Sequence, residues 1–322
     1  MRHLNEFGLI REIQKRFPMM HTKTVGIGDD CAVLDGQRLV TTDALVDGVH
    51  FLSAKADFND IGYKAAAVNI SDLAAGGGYP LYAWLTLGIP DTLPDEKIDQ
   101  FLRGLEEARR DFPFDLVGGD TVKSPVFFVS MTFEGKVFGK PLLRSGAKKG
   151  DYVYVTGRIG DSRIGLELVK GSLRHEVLDR AYFLQRHYRP APRVALMSYL
   201  DSSYEIRSAI DLSDGLLADA AHVAEASGVG FFIDLEDIPL SRDRIGSSVL
   251  KDERYFLGLA LNGGEDYEIF FTSPERIDCD KALEKTGVPV TSIGYVREGA
   301  SILNWNDAES SPEDWPAGFT HF

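Results

Sequence analysis

Apolar residues recur at helical spacing in three parts of the N-terminal half. Residues 5–17 carry an apolar stripe that predicts an amphipathic helix. Residues 60–78 predict an Ala-rich buried helix that ends at three successive glycines, and residues 94–112 predict a second helix with one apolar face. Apolar runs between these helices predict strands at 38–51, 81–89, 114–121 and 126–138.

The C-terminal half mixes strands and helices in the same way. Predicted strands at 151–157, 230–235, 266–272 and 290–296 are separated by helical or loop segments. The stretch GKPLLRSGAKKG, residues 139–150, is dense in Gly, Lys and Arg and is interpreted as the junction between halves. The pattern therefore predicts an α/β (or α+β) protein of two domains, residues 1–142 and 143–322.

Composition narrows the class of partner. The chain has 322 residues, 44% of them hydrophobic, and a formal net charge of −14. An acidic protein lacks the basic face that nucleic acids and anionic membranes require, so we expect neither as a partner. No apolar run is long enough to span a bilayer, and the N-terminus lacks signal-peptide order. Cys31 and Cys279 are far apart and are expected to be buried thiols. We expect a cytoplasmic protein.

Acidic residues stand at six junctions, most of them at strand ends or beside glycine. Each one alone has an ordinary interpretation as a turn, a helix cap or an exposed loop, but six together are hard to ascribe to chance. The segments are GIGDDCAV (26–33), TTD (41–43), NISDLAAGGG (69–78), VGGDT (117–121), DLSDG (211–215) and NGGEDYE (262–268).

Two of these junctions carry an additional signal. Asp72 stands near the C-terminal end of a predicted helix, where the helix dipole disfavours an anion, and this favours a cation nearby. In DLSDG, Ser213 is expected to cap the following helix and Asp214 to lie in its first turn. Capping does not explain Asp211, which ends a predicted strand.

Carboxylates and hydroxyls without a Cys/His cluster are hard oxygen ligands, which favours Mg²⁺ or Mn²⁺ over zinc. Mg²⁺ binds through few carboxylates and keeps positions for water and phosphate oxygens, so the pattern indicates phosphate chemistry on a nucleotide. The sequence contains no GxxxxGK[ST] loop and no HRD and DFG set, so neither familiar kinase architecture is expected.

The six segments, in this order over residues 26–268, resemble the thiamine-monophosphate kinase family, within the superfamily of aminoimidazole ribonucleotide synthetase. The similarity extends to a Gly-Phe in the C-terminal AGFTHF. The resemblance implies transfer of the ATP γ-phosphoryl group to thiamine phosphate, giving thiamine diphosphate and ADP. It also implies an N-terminal α/β domain whose sheet pairs with a second subunit, and a C-terminal α/β domain over the cleft.

The same resemblance implies roles for individual residues. Several Mg²⁺ ions would be bound by Asp30, Thr41, Thr42, Asp43, Asp72, Asp120, Asp211 and Asp214. ATP, the co-substrate, would be held by Gly119, Asp120, Arg144 and Ser213, whereas His50, Glu265 and Phe319 would face thiamine phosphate. Asp29 would shape its turn. Leu102 stands where some members carry an aromatic residue near the nucleotide.

Two further expectations concern mechanism and assembly. The carboxylates are better used as metal ligands than as nucleophiles, and His50 has no evident acidic partner in its own strand, so direct in-line transfer is expected. The apolar segment VFFVSMTF (126–133) is unsuited to a free sheet edge, which predicts a homodimer through the N-terminal sheet. The alternatives are another ATP-dependent enzyme of the superfamily, such as aminoimidazole ribonucleotide synthetase, or a non-catalytic Mg-nucleotide-binding protein.

Overall fold

The computed structural model describes residues 6–21 and 23–315. Among these residues, the first half contains three helices and five strands: α1 (Glu6–Arg16), β1 (Ala32–Leu34), β2 (Arg38–Val46), α2 (Phe58–Ala75), β3 (Gly78–Ile89), α3 (Asp95–Asp111), β4 (Asp115–Lys123) and β5 (Phe128–Val137). The predicted helices are present with nearly the predicted bounds. The apolar stripe of α1 is largely exposed at Ile10 and Ile13.

These strands form one sheet in the order β1-β2-β5-β3-β4. β5 is therefore paired on both sides, with β2 and with β3, so its apolar sequence is covered within the chain and does not itself require a second subunit. The two edges are β1 and β4, and β4 pairs in parallel with β3 and is exposed along its whole length. At Gly119 a Cβ would lie 1.8 Å from the carbonyl oxygen of Leu85, so this pairing requires glycine.

Helix α2 is buried on almost every side. It packs on the first sheet and against α3, and it also contacts a strand of the second half, Ser208–Asp211. A helix with such surroundings needs small residues rather than one apolar face, which explains its run of alanines. It ends at Gly76, and Gly77 follows with a φ of +79°, a left-handed conformation that favours glycine.

The second half contains eight helices and seven strands within the described residues. They are β6 (Tyr152–Thr156), α4 (Asp161–Lys170), α5 (Arg180–Tyr188), α6 (Val194–Ser203), β7 (Ser208–Asp211), α7 (Leu216–Ser227), β8 (Gly230–Asp234), α8 (Arg242–Ile245), α9 (Ser248–Lys251), α10 (Glu253–Asn262), β9 (Ile269–Ser273), α11 (Cys279–Thr286), β10 (Val290–Arg297), β11 (Ile302–Trp305) and β12 (Ala308–Ser310).

The second sheet has the order β12-β11-β8-β10-β6-β9-β7 and mixes parallel with antiparallel pairs. Each half has its own apolar core, and a third apolar cluster joins them. In that third cluster Ala74 and Ala75 of α2 meet Leu196 of α6 and Phe271 of β9. None of the helices in the described ranges has the length and apolar character needed to cross a membrane.

Candidate active site

A cavity of about 380 Å³ is lined by residues of both halves. The N-terminal half contributes the end of β2 and the loop after it, and the C-terminal half contributes α4, α5 and the loops before α7 and β9. Five of the residues selected from the sequence line this cavity: Asp43, His50, Ser213, Asp214 and Glu265. Residues that are more than 160 positions apart in the chain therefore meet at one site.

An acidic cluster, consisting of Asp30, Asp43, Asp72 and Asp211, adjoins this cavity through Asp43. The Thr41 hydroxyl on β2 donates to Asp72 on α2 at 2.5 Å. The Ser71 hydroxyl, one residue before Asp72, donates to Asp211 at the end of β7 at 2.6 Å. Helix α2 thus brings a carboxylate of its own beside a carboxylate of the other half.

The members of the acidic cluster repel one another. Burial, followed by repulsion from Asp43, Asp211 and Asp30, raises the pKa of Asp72 well above its ordinary value. Burial, followed by repulsion from Asp30, raises the pKa of Asp211 in the same way. Asp72 and Asp211 each accept a hydrogen bond from a hydroxyl group, which supplies no positive charge. Binding of cations would relieve this repulsion.

Asp30 is compensated differently. Arg144, in the segment between the halves, donates to Asp30 Oδ1 from Nε at 2.9 Å and from Nη2 at 2.6 Å. Burial raises the pKa of Asp30, and the Arg144 charge offsets part of that rise. The backbone N–H of Arg144 donates to Asp29 at 2.6 Å, so Asp29 ties its turn to the segment between the halves.

The acidic cluster fits metal ions that are also coordinated by a bound substrate. Within residues 6–21 and 23–315, no group of three or more His, Cys, Asp or Glu side chains has the spacing to hold an ion by itself. Mg²⁺ in nucleotide enzymes is bound through one or two carboxylates and completes its coordination with phosphate oxygens and water. All four cluster members are carboxylates, the donor type that Mg²⁺ prefers, so the residues present fit this mode of binding.

The loop before α7 differs from the sequence prediction. The helix begins at Leu216, after Gly215, and Ser213 makes no side-chain cap, so the capping interpretation of Ser213 and Asp214 is wrong. Asp219, inside the helix, accepts the N–H groups of Asp214 and Gly215, each at 3.1 Å. Because this internal carboxylate satisfies the helix start, Ser213 and Asp214 lie ahead of the helix and face the cavity. Sequence reasoning missed Asp219.

Glu265 lies on the cavity wall beside two residues that sequence reasoning missed. Its Oε1 accepts a hydrogen bond from Nζ of Lys64 on α2 at 2.8 Å, and its Oε2 lies 3.5 Å from Nδ1 of His187 on α5. Burial raises the pKa of Glu265, but the neighbouring positive charge of Lys64 opposes this, and the pKa lies below its ordinary value. The available signal for Lys64 was a lysine directly before the alanines of a helix that is predicted to be buried.

His50 also lies on the cavity wall, in the turn after β2. Its Nδ1 accepts a hydrogen bond from the backbone N–H of Val46 at 3.1 Å. An imidazole nitrogen that accepts a hydrogen bond carries no proton, so the neutral ring has its proton on Nε2. His50 therefore presents a donor at Nε2.

Three selected residues lie away from the acidic cluster. Side chains alternate across a strand, and the Thr42 hydroxyl pairs with Thr132 at 3.1 Å on the face opposite Thr41. Gly119 and Asp120 are on β4, three strands from β2 in the sheet order, which places them about 14 Å away at the usual strand spacing. Asp120 is exposed and accepts the N–H of Thr121. Phe319 lies outside the described residues, and Leu102 is exposed on α3.

Comparisons with known proteins agree with this architecture. Models of the AIR synthase related protein family match in two parts, the N-terminal domain over residues 28–137 and the C-terminal domain over residues 148–305. A thiamine-monophosphate kinase from Escherichia coli is 43% identical over 312 residues, which cover 92% of this chain and 92% of the relative.

Solved structures give the same result. The crystal structure of thiamine monophosphate kinase from Aquifex aeolicus matches with a TM-score of 0.80 and 33% identity, over 97% of this chain and all of that one. A structure described as AaThiL complexed with AMPPCP and TMP matches with a TM-score of 0.83 and 34% identity, over 100% of this chain and 98% of that one. The chain belongs to the thiamine-monophosphate kinases of the AIR synthase related family.

Proposed function

We propose that this protein phosphorylates thiamine phosphate to thiamine diphosphate with ATP as co-substrate. The observation that carries the proposal is the cavity between the halves, which joins Asp43 and Asp214 with His50 and Glu265. The cavity thus offers both carboxylates for metal-bound phosphates and polar groups for the acceptor. The relatives named above bear this activity in their names, and one was solved with AMPPCP and TMP.

Magnesium ions are part of the proposal. Several of them would be held by Asp43, Asp72, Asp211 and Asp214. Thr41 and Asp30 would lie beside these ligands. When bound, the ions supply charge neutralisation between the phosphates of the two substrates. The residues of the chain contribute fixed positions, since Thr41 and Ser71 hold two of the carboxylates on either side of α2.

Phosphate binding is assigned to Ser213 and Arg144. Ser213 lies on the cavity wall, at the turn that enters α7. The guanidinium of Arg144 is paired with Asp30, and a fork of this kind also fits a phosphate. In the proposal, Asp30 would help to hold a cation that neutralises its charge, and the Arg144 guanidinium would then be available to a nucleotide phosphate.

Transfer is proposed to be direct and in line. A covalent relay needs a nucleophile with a free lone pair, and His50 lacks one in the observed arrangement, because Nδ1 accepts the Val46 N–H and Nε2 carries the proton. The acceptor phosphate is anionic at neutral pH, so no strong general base is needed. Within the proposal, Glu265, His50 and Phe319 orient the acceptor.

A homodimer through the N-terminal sheet is also proposed. The support comes from β4 and its neighbour β3, rather than from β5. Apolar side chains are exposed on these two strands at Tyr82, Trp84, Leu116, Val117 and Val122. Gly119 and Asp120 lie on β4, so their proposed contacts with ATP and metal require a second subunit packed against this strand.

The activity is tested by incubating the protein with ATP, Mg²⁺ and thiamine phosphate and following the mixture by ³¹P NMR. We expect signals of thiamine diphosphate and ADP in equal amounts. Aminoimidazole ribonucleotide synthetase activity is assayed in parallel with its own substrate. ATP consumption only in that second assay would replace the proposal with the superfamily alternative.

A further inference from the structure

Lys64 occupies an unusual position for a charged residue. It lies in α2, directly before a run of three alanines, and its side chain is 3% exposed. Removing an ammonium group from water costs several kcal/mol unless a partner compensates it. A lysine retained at such a position therefore indicates a partner of opposite charge with a fixed location.

That partner comes from the other half of the molecule. Glu265 belongs to the loop between α10 and β9, 201 positions further along the chain. Its Oε1 accepts a hydrogen bond from Nζ of Lys64 at 2.8 Å. The second carboxylate oxygen lies 3.5 Å from His187 on α5. The Glu265 side chain keeps 22% of its surface exposed, and this surface faces the cavity.

The backbone around Glu265 is fixed in an uncommon conformation. Its φ is +67°, in the left-handed region that a residue with a side chain rarely adopts. The Glu265 N–H donates to the carbonyl of Ser213 at 2.8 Å, and a Cβ on Gly264 would lie 2.3 Å from that same carbonyl. Asp266, the next residue, accepts the N–H groups of Gly160 and Ser162. The loop is thus held from both sides.

We propose that Lys64 is a positioning residue for the acceptor substrate: it holds the Glu265 carboxylate in one orientation, so that the exposed part of the carboxylate accepts a hydrogen bond from the amino-bearing heterocycle of a phosphorylated substrate. The inference rests on the proposed function and adds a residue to it. It assigns to α2 a second role, in which the helix that carries Asp72 and Ser71 also orients the group that recognises the acceptor.

A comparison within the molecule separates this role from a purely structural one. Glu268, three residues later, is fully buried, and its carboxylate is enclosed by Arg186, Arg193 and Thr156. A pair that serves only folding has no need for a face on a cavity. The Lys64–Glu265 pair has such a face, and Lys64 occupies only one of the two oxygens.

The test is Lys64→Met, which keeps the length of the side chain and removes the charge. We expect KM for thiamine phosphate to rise about tenfold or more, as for loss of a charged hydrogen bond, with KM for ATP within about twofold of wild type. Lys55→Met is the matched control, because Lys55 also spans the two halves, donating to the Val169 carbonyl from an exposed position. We expect it to leave both constants unchanged.

A double-mutant cycle shows whether Lys64 acts through Glu265. If it does, KM for thiamine phosphate is the same in Glu265→Gln and in Lys64→Met/Glu265→Gln, because the carboxylate to be positioned is already absent. A further rise in the double variant, or a wild-type KM in Glu265→Gln, overturns the inference. The double variant leaves no unpaired buried charge, so it can be measured even if a single variant does not fold, and a wild-type KM for thiamine phosphate in the double variant also overturns the inference.

Failure of the inference and failure of the proposed function are distinguishable. If the wild-type protein makes no thiamine diphosphate in the ³¹P assay, the proposed function fails. If the wild-type protein is active and Lys64→Met is folded with an unchanged KM for thiamine phosphate, the function stands and the role of Lys64 is refuted.

Discussion

Two groups of buried carboxylates in this molecule are stabilised in opposite ways. Glu268 accepts hydrogen bonds from Arg193 at 2.6 Å, from Arg186 at 2.7 Å and from Thr156 at 2.6 Å. Burial raises its pKa, but the two arginines outweigh this and leave the pKa below its ordinary value. In the acidic cluster, Asp72 and Asp211 have hydroxyl partners and carboxylate neighbours, and their pKa values are raised well above ordinary.

The difference indicates what each group is for. A carboxylate with arginine partners is complete within the chain and holds β6, β9 and the α5–α6 region together. Carboxylates that repel one another lower the stability of the fold, and such an arrangement is typical of a functional site. In the proposed function, a cation brought with the nucleotide would complete the acidic cluster, whereas the Glu268 carboxylate already has charged partners within the chain.

The largest expected effect is on catalysis, from Asp72→Asn. The substitution removes a metal-binding charge at nearly constant size, and we expect kcat to fall about 10²-fold or more, as for loss of one preorganised electrostatic group. Because one repelling charge is also lost, the melting temperature should not fall. Steady-state kinetics and a thermal melt check the two halves of this prediction; near-wild-type turnover at saturating Mg²⁺ would contradict it.

The second effect is on stability, from Glu268→Gln. Two buried arginines lose their counter-charge, and breaking a buried pair in this way costs about 3–5 kcal/mol. Denaturant unfolding measures the loss, and kcat of the remaining folded protein should stay close to wild type. An unchanged free energy of unfolding would show that the comparison between the two sites is mistaken.

The third effect is a pH dependence of stability. Burial, with the neighbouring Lys64 charge, lowers the pKa of His187 to about 3, so the folded protein keeps this ring neutral. The unfolded chain takes up the proton near pH 6.5, and stability should therefore decrease as the pH falls below that value, by at most about 1.4 kcal/mol per pH unit. His187→Gln lacks this contribution. Unfolding curves of both proteins between pH 7.5 and 4.5 should diverge; parallel curves would refute the assignment.

Local patterns predicted most of the helices and strands. The glycines after α2 and the alternation in β3 act over a few residues, and these elements appear where expected. The position of β5 was not predictable in this way, because the order of strands depends on the pairing of all strands in the sheet. β5 lies between β2 and β3, which its local sequence does not indicate. The predicted start of α7 is wrong because Asp219, inside the helix, accepts a hydrogen bond from the backbone at the helix start. Capping of the helix start was the role predicted for Ser213.

The site was predicted in part for the same reason. Carboxylates at strand ends are visible in the sequence, and Asp43 and Asp214 do meet at the cavity. Lys64 and His187 were missed because their partner, Glu265, is distant in the chain for both. Thr42 is among the predicted metal ligands, but side chains alternate across a strand, so Thr42 lies on the face opposite Thr41. This alternation is already predictable from the sequence.

The central claim is that the acidic cluster binds divalent cations. It is tested most directly by titrating wild-type protein, Asp72→Asn and Glu268→Gln with Mn²⁺ in the presence of AMPPCP, and measuring free Mn²⁺ by its paramagnetic resonance signal. The account predicts saturable binding to wild type and to Glu268→Gln, with affinity at least about tenfold weaker in Asp72→Asn. Equal binding by all three proteins would contradict it.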